Sequence, residues 1–277
     1  MSLAARHARF ADLHAQGCFV MPNPWDAGSA RMMAALGAQA LATSSAAQAF
    51  VLGRPDMGTL SRDEALAHAQ DILAATPLPV SGDFENGFGD APEDVAETVR
   101  RAGEIGLSGC GIEDTVMSPG NPAYDFDLAV ERIRAAVAAA RALGRPFVLT
   151  ARADGVMNGA YDLAEAIRRI QAFEAAGADC LYVPVPPGAR ELAQVIAAVE
   201  APVNALLAGP LRKLSLEELT AMGARRLSLG SQMARVTHAA IHDVMTGVLS
   251  GDFNGLRTAA SGDVIDALLE KGANPDG

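Results

Sequence analysis

The chain has 277 residues, half of them hydrophobic, with 22 basic and 33 acidic side chains and a formal net charge of −11. That balance argues against nucleic acid and anionic membrane as partners, since both select clustered positive charge, although a local basic patch can still take an anionic substrate. The composition suffices to bury a large core, and no apolar run approaches the roughly 20 residues that a bilayer-spanning helix needs.

The opening stretch, MSLAARHARFADLHAQG, patterns as an amphipathic helix with scattered charge rather than a secretory signal. Cys18, Cys110 and Cys180 are odd in number and far apart, which speaks against a disulfide framework or a zinc site and for a reducing cytoplasm. Lysine is nearly absent: Lys213 and Lys271, both in polar segments, are the whole set. A Schiff-base mechanism needs a lysine whose pKa is depressed by burial, so that chemistry is disfavoured.

Short apolar runs then alternate with longer helical patterns. The runs are CFVMPNP (18–24), ALATSS (40–45), LPVSGDFE (78–85), GCGIED (109–114), PFVLTARAD (146–154), CLYVPVP (180–186), APVNALL (201–207) and RRLSLGS (225–231). Between them, segments such as DVAETVRRAGEIG and DLAEAIRRIQAFEAAG carry apolar residues three and four apart and stop at glycine. Strands that are apolar throughout imply a parallel sheet covered on both faces, and eight such units imply a closed (β/α)8 barrel. The competing fold is an open doubly wound sheet. It would want a glycine-rich phosphate loop after the first strand, where this chain reads NPWDAGSA. With no linker to divide it, the chain 1–277 is expected to form one barrel domain. A helical extension over about 250–277 carries DVIDALLEKG, expected to pack outside the barrel or on a neighbouring subunit.

Barrel chemistry gathers at the C-terminal ends of the strands. Those ends supply Asn23, Trp25 and Asp26; Thr43, Ser44 and Ser45, with Asp56 beyond; Asp83 and Glu85; Glu113 and Asp114; Arg152 and Asp154; Tyr182; Asn204; Ser228 and Ser231. Taken singly, such acids commonly cap helices or pair with arginine. Asp83, Glu85 and Glu113 together at adjacent ends repel one another, and a hard divalent cation relieves that repulsion. Oxygen donors without His or Cys favour magnesium or manganese over zinc. The cysteines fall at strand starts, at the opposite end, where packing is the expected role. His7, His14, His68, His238 and His242 all lie in helical segments without HExxH context, so a zinc site or a histidine triad is not expected.

In this order, NPWDAGSARMMAALGAQALATSS, LGRPDMG, SGDFENGFG, GIED, TARAD and EAAGAD resemble the isocitrate lyase/phosphoenolpyruvate mutase superfamily over residues 18 to 250. No single phrase is specific; the ordered set is. The resemblance implies a barrel that binds an α-oxo or α-hydroxy carboxylate through Mg²⁺, with a bond next to an enolpyruvate-like intermediate made or broken. It also implies a homotetramer, a dimer of helix-swapped dimers. By motif, DFENGFG makes Asp83 the direct metal ligand, with Glu85 where a second aspartate is common. Glu113 of IED and Asp56 after LGRP would hold metal-bound water. Arg152 of ARAD would neutralise the substrate carboxylate or developing enolate. Thr43, Ser44 and Ser45 fall on the carboxylate-binding segment, and Trp25 and Asp26 would line the pocket. Catalytic roles are thus expected for Arg152, Ser44 and Glu113, and a substrate contact for Asn204.

The departures bear on the substrate. Isocitrate-type lyases carry K-K-C-G-H on the loop after strand 4; here it reads TVMSPGNPAYDF, where only Ser118, Tyr124 and Asp125 could serve as an acid. Val185 and Leu206 stand near the Glu and Asn positions of those lyases, and the longer gating loop of the phosphonate mutases is missing. The expected function is therefore a Mg²⁺-dependent lyase of a small 2-oxo or 2-hydroxy (di)carboxylate, resembling 2-methylisocitrate lyase or an oxaloacetate decarboxylase or hydrolase. The alternatives are a non-catalytic 2-oxo acid binder and a phosphonomutase-type P–C enzyme. An enolase-type barrel would want a Lys or His base at a strand end, and there is none.

Overall fold

The apolar runs become eight parallel strands in a computed structural model that describes residues 1–274. They are β1 (Phe19–Met21), β2 (Leu41–Ala42), β3 (Val80–Asp83), β4 (Gly109–Glu113), β5 (Val148–Arg152), β6 (Cys180–Tyr182), β7 (Val203–Leu206) and β8 (Arg226–Ser228). Hydrogen bonding runs unbroken from β2 through β8 and from β8 to β1. The Ala42 N–H donates to the Pro22 carbonyl at 3.1 Å, which ties the β1 end to β2 and rounds the sheet into a (β/α)8 TIM barrel. Strands such as β4 are buried at every position, the signature of a sheet with helices outside and packed side chains within.

The outer helices are α2 (Ala27–Ala35), α4 (Arg62–Ala75), α5 (Pro92–Glu104), α6 (Phe126–Ala142), α8 (Leu163–Ala175), α9 (Ala189–Ala197) and α10 (Leu216–Ala221). Two short helices, α3 (Ser45–Val51) and α7 (Gly155–Asn158), lie at the C-terminal mouth of the strands. Starts are set locally: Ser61 and Ser215 form reciprocal capping boxes with Glu64 and Glu218, and Pro92 occupies the first turn of α5. Gly106 and Gly177 end α5 and α8 at φ of 98° and 100°, a left-handed conformation that a side chain resists.

The opposite end of the bore is closed by α1 (Leu3–Ala15), whose His7, Phe10 and His14 share one buried face. Phe10 packs with Phe19, Ala40, Val148 and Cys180 as an apolar floor. The His14 Nδ1–H donates to the Phe10 carbonyl at 2.7 Å. Burial, with the charges of Arg226 and Arg225, pushes the His14 imidazole down to about 3, and burial beside Arg145 and Arg6 pushes His7 down to about 4. In the unfolded chain both rings take a proton near pH 6.5. The folded chain excludes it, so this contribution to stability is complete above pH 6.5 and lost as pH falls toward the folded pKa values. We expect His14 alone to add a slope of about 1.4 kcal/mol per pH unit below pH 6.5. Urea midpoints measured from pH 7 to 5 should fall less steeply in His14→Gln; an unchanged slope would refute the assignment.

The last two helices differ in kind. α12 (Gly262–Ala273) packs on α2 of the same chain so closely that Gly272 sits against the Arg31 backbone, which is the outside-the-barrel alternative for DVIDALLEKG. Residues 275–277 of the expected extension lie outside the described residues. α11 (Gln232–Leu249) follows β8 but buries only Ala234, leaving Val236, Ile241, Met245 and Leu249 exposed. Among the described residues no helix is long and apolar enough to cross a membrane.

Candidate active site

Strand register places the acids. Glu113 pairs in register with Arg152, and Asp83 with Gly111, so β3, β4 and β5 deliver their last side chains to one mouth. There a single guanidinium gathers three carboxylates. Arg152 Nη1 donates to Asp83 Oδ1 at 3.0 Å, Nη2 lies 3.0 Å from Glu113 Oε1, and Nη2 and Nε donate to the two oxygens of Asp154 at 2.7 and 3.2 Å. The Tyr182 ring supports the guanidinium, 4.9 Å from Cζ to centroid. Burial opposes the Arg152 charge, but Asp154, Glu113 and Asp83 outweigh it and hold its pKa well above the usual value. With more acids than cations, burial raises the Glu113 carboxyl well above its ordinary range despite Arg152, and raises Asp154 to about 6.

The segment after β2 holds Asp83 from the other side. The Ser45 N–H and hydroxyl donate to Asp83 Oδ2 at 3.0 and 3.1 Å, and the Asp83 N–H donates to Thr43 Oγ1 at 2.8 Å. Ser44 is buried between them, and its hydroxyl accepts from the Ala47 N–H at 3.4 Å at the start of α3. Glu85 has a left-handed backbone, φ 46°, and is 3% exposed. Such a conformation costs of order 1–3 kcal/mol and persists only where its surroundings hold it. Here Glu85 Oε1 accepts from the Gly58 N–H at 3.0 Å and its carbonyl accepts from the Glu113 N–H at 2.8 Å. Burial, then the charges of Asp83 and Asp56, push the Glu85 carboxyl to about 7. Asp56 is half-buried, and burial and Asp83 raise it as well.

Carboxyls raised by burial and by one another, in an all-oxygen donor set, fit a hard divalent ion. Among the described residues no three Asp, Glu, His or Cys side chains converge tightly enough to ligate one ion together. Asp83 retains acceptor capacity for this role, because a carboxylate has about four lone-pair sites.

The other expected residues are placed as follows. Trp25 is half-buried and its carbonyl accepts from His68 Nε2 at 2.8 Å. Asp26 is exposed and caps α2 through the Ser29 N–H. Asn204 is fully buried in the bore, bonded to Ser228 Oγ and Arg226 Nε. Asp114, another strand-end acid, accepts from the Asp154 N–H, the Tyr161 hydroxyl and Arg169 Nη1 at 2.8, 2.7 and 3.0 Å, and so braces the residue that grips Arg152. Sequence reasoning assigned no role to Asp154 or to the Gly58 N–H. The A-R-x-D spacing held the signal for Asp154, because residues two apart at a strand end face the same way.

A cavity of about 700 Å³ opens beside the cluster and reaches it through Glu85, between Gly58 to Asp63, Glu85 to Asp90 and Val116 to Ser118. The Arg152–carboxylate cluster sits over a smaller space in the bore, about 60 Å³, whose wall includes Asp83 and Arg152. The loop after β4 lies on the loop after α3: a Cβ added to Gly58 would stand 2.9 Å from that of Met117. Of the three candidate acids on that loop, Ser118 lines the larger cavity. Tyr124 is buried and donates to Asp90 Oδ1 at 2.6 Å, its hydroxyl raised to about 12 chiefly by burial, and Asp125 is exposed at the start of α6.

The cysteines are unpaired, with Cys110 and Cys180 buried and their thiols pushed up by burial. A variant with Ala at positions 18, 110 and 180 is expected to lose stability and keep turnover per folded molecule. A well-folded but inactive triple variant, judged by circular dichroism and steady-state rates, would refute this.

Comparison with known proteins agrees with this geometry. The sequence model described as phosphoenolpyruvate phosphomutase matches residues 10–249. Oxaloacetate decarboxylase of Paraburkholderia xenovorans (strain LB400) is 34% identical over 247 residues, 86% of this chain and 80% of that protein. A Burkholderia cenocepacia J2315 structure described only as a lyase/mutase superposes with a TM-score of 0.93 at 46% identity, covering 97% of both chains. The structure of 2,3-dimethylmalate lyase, a PEP mutase/isocitrate lyase superfamily member, gives 0.85 at 28% identity over 97% of this chain and 95% of its own. The chain therefore belongs to the phosphoenolpyruvate phosphomutase family and is an enzyme of the isocitrate lyase/PEP mutase superfamily, carried on a (β/α)8 barrel.

Proposed function

We propose that this enzyme is a divalent-metal-dependent carbon–carbon lyase of a small 2-oxo or 2-hydroxy dicarboxylate, with oxaloacetate the first substrate to test. The observation that carries the reading is Arg152, buried among Asp83, Glu113 and Asp154 beside the raised carboxyls of Glu85 and Asp56. Asp83 would hold magnesium or manganese directly, and Asp56, Glu85 and Glu113 through water. The ion, when bound, supplies Lewis-acid chelation of the carboxylate and its neighbouring oxygen. Arg152 presents a planar fork to the substrate carboxylate and favours the enolate as its charge develops. Thr43, Ser44 and Ser45 would orient the carboxylate end, and Thr43 and Ser45 hold Asp83. Of the loop candidates Ser118, Tyr124 and Asp125, Ser118 lines the larger cavity, which supports it as the residue that would move a proton at the distal end. The similarity to an oxaloacetate decarboxylase and a dimethylmalate lyase supports this substrate class.

The test is product analysis by NMR of oxaloacetate and 2,3-dimethylmalate incubated with the protein in Mg²⁺, Mn²⁺ or EDTA. Cleavage that requires the metal is expected, with pyruvate, oxaloacetate and 2-oxoglutarate competing for one site. Saturable binding without turnover of either compound would establish the binder in place of the lyase.

We further propose that two copies exchange α11. A groove of about 400 Å³, lined by Phe19, Val20, Met33, Leu36, Leu229 and Met233, lies between β8 and β1, where a barrel helix belongs. α11 itself carries an unpartnered apolar stripe of Val236, Ile241, Met245 and Leu249. Reciprocal exchange covers both surfaces and is the unit from which a tetramer would form. Light scattering should show Ile241→Glu with Leu249→Glu as a smaller species than the parent. Free thiols buried in the core suit a cytoplasmic setting.

A further inference from the structure

The bore beneath Arg152 holds a second arginine, and this one has no anion. Arg226 of β8 is 4% exposed and lies above the apolar floor of Phe19, Val148 and Cys180. Its Nε donates to Asn204 Oδ1 at 2.8 Å, and its Nη1 to Thr150 Oγ1 at 3.0 Å and toward His14 Nε2 at 3.4 Å. All three partners are neutral. The His14 Nδ1–H is committed to the Phe10 carbonyl, so Nε2 is an acceptor, and the ring stays unprotonated down to about pH 3.

Among the described residues no carboxylate lies within 4.0 Å of the Arg226 guanidinium, and Nη2 has no protein acceptor. Arg152 has three acids and Arg169 has Asp114 and Glu165; Arg132, like Arg226, has only neutral acceptors, the carbonyls of Asn86, Gly89 and Asp90, but both of its Nη atoms are used. Buried charges are expensive unless they are paired.

Arg226 also faces a space. The bore cavity of about 60 Å³ is walled by Arg226, Asn204, Thr150 and Ser228 on one side. On the other side it is walled by the small residues Ala42 and Gly111, where a Cβ at 111 would stand 3.5 Å from Arg152 Cδ. Ser228 Oγ accepts from Asn204 Nδ2 at 2.9 Å, and Thr150 Oγ1 accepts from Arg226; each hydroxyl proton can then turn to an anion in the bore or to its protein neighbour, the Tyr182 oxygen for Ser228 and Cys180 Sγ for Thr150. The one acid on the wall, Asp83, has its oxygens bonded to Arg152 and Ser45.

We propose that this cavity is an anion site, in which Arg226 Nη2 and the hydroxyls of Thr150 and Ser228 hold a halide-sized anion or a single carboxylate group in the bore below the catalytic arginine. The assignment rests on these contacts and stands whatever reaction the mouth performs. Its two sources are a free inorganic anion and a carboxylate of the substrate reaching down from the mouth.

Bromide is the probe. Crystals of the full chain soaked in sodium bromide should show an anomalous peak in the bore beside Arg226. In solution, replacing gluconate by bromide at constant ionic strength should raise the melting temperature saturably, since a ligand of the native state stabilises it. The rise should vanish in Arg226→Gln and persist in part in Arg226→Lys. Oxalate with Mg²⁺ then separates the sources. Loss of the peak, with an oxalate oxygen in its place, assigns the substrate; a peak that remains assigns a free anion. A bore that fills with water and gives no anomalous signal overturns the proposal, as does a bromide-dependent rise that survives in Arg226→Gln. If that variant does not fold, the wild-type crystal alone decides.

Discussion

Arg152→Ala is expected to reduce kcat/KM by about 10²–10³-fold, the usual effect of removing a preorganised charge-stabilising donor, and also to destabilise the protein. The second effect follows from what Arg152 holds. Its removal leaves Asp83, Glu113 and Asp154 facing one another without their cation, and breaking a buried ion pair typically costs about 3–5 kcal/mol. Part of that loss is recoverable by protonation, so the variant should be relatively more stable below neutral pH, where the raised carboxyls of Glu113 and Asp154 take up protons. Arg152→Lys separates the two roles. A lysine restores a charge but not a fork that bonds three acids at once, so stability should return in larger part than rate. Urea denaturation and steady-state kinetics on the same preparations check this. Wild-type activity in Arg152→Lys would show that the fork is not what the reaction uses.

Asp83→Ala is expected to abolish metal-dependent turnover while leaving the fold intact. Lewis-acid stabilisation is worth several kcal/mol, and each 1.4 kcal/mol is tenfold in rate, so the loss should reach about a thousandfold. The metal-free fold should tolerate the change. Arg152 keeps Glu113 and Asp154 as partners, and one like charge is removed from beside Glu85, whose raised carboxyl Asp83 helps to create. The local loss is the contact from Ser45, whose N–H then points at the space left by the carboxylate. Calorimetry with Mg²⁺ or Mn²⁺ measures the metal, and a thermal scan measures the fold. Unchanged metal affinity would remove Asp83 from the ligand set.

Much of the barrel is legible in the amino-acid order. A strand buried on both faces must be apolar along its whole length, so GCGIE and VLTAR read as central strands without any partner being known. Helix limits are equally local, because Ser61 with Glu64, Pro92 and Gly106 act on backbone groups within a few residues. That acids cluster at the mouth also follows from one dimension, once the strand ends are counted. The order of residues is silent on which acid meets which cation. Asp83 and Arg152 are 69 positions apart, and they meet because the register of β3 on β4 and β4 on β5 carries both to one point, a consequence of how the whole sheet closes. The same holds for Arg226: from RRLSLGS alone it is a basic residue at a strand start, and only closure of the barrel turns it inward to face Asn204 and Thr150. The paths of α11 and α12 are also tertiary decisions. Both are amphipathic, and periodicity marks an apolar face without naming its partner. For α12 the partner is α2 in the same chain, whereas α11 leaves β8 with its face uncovered.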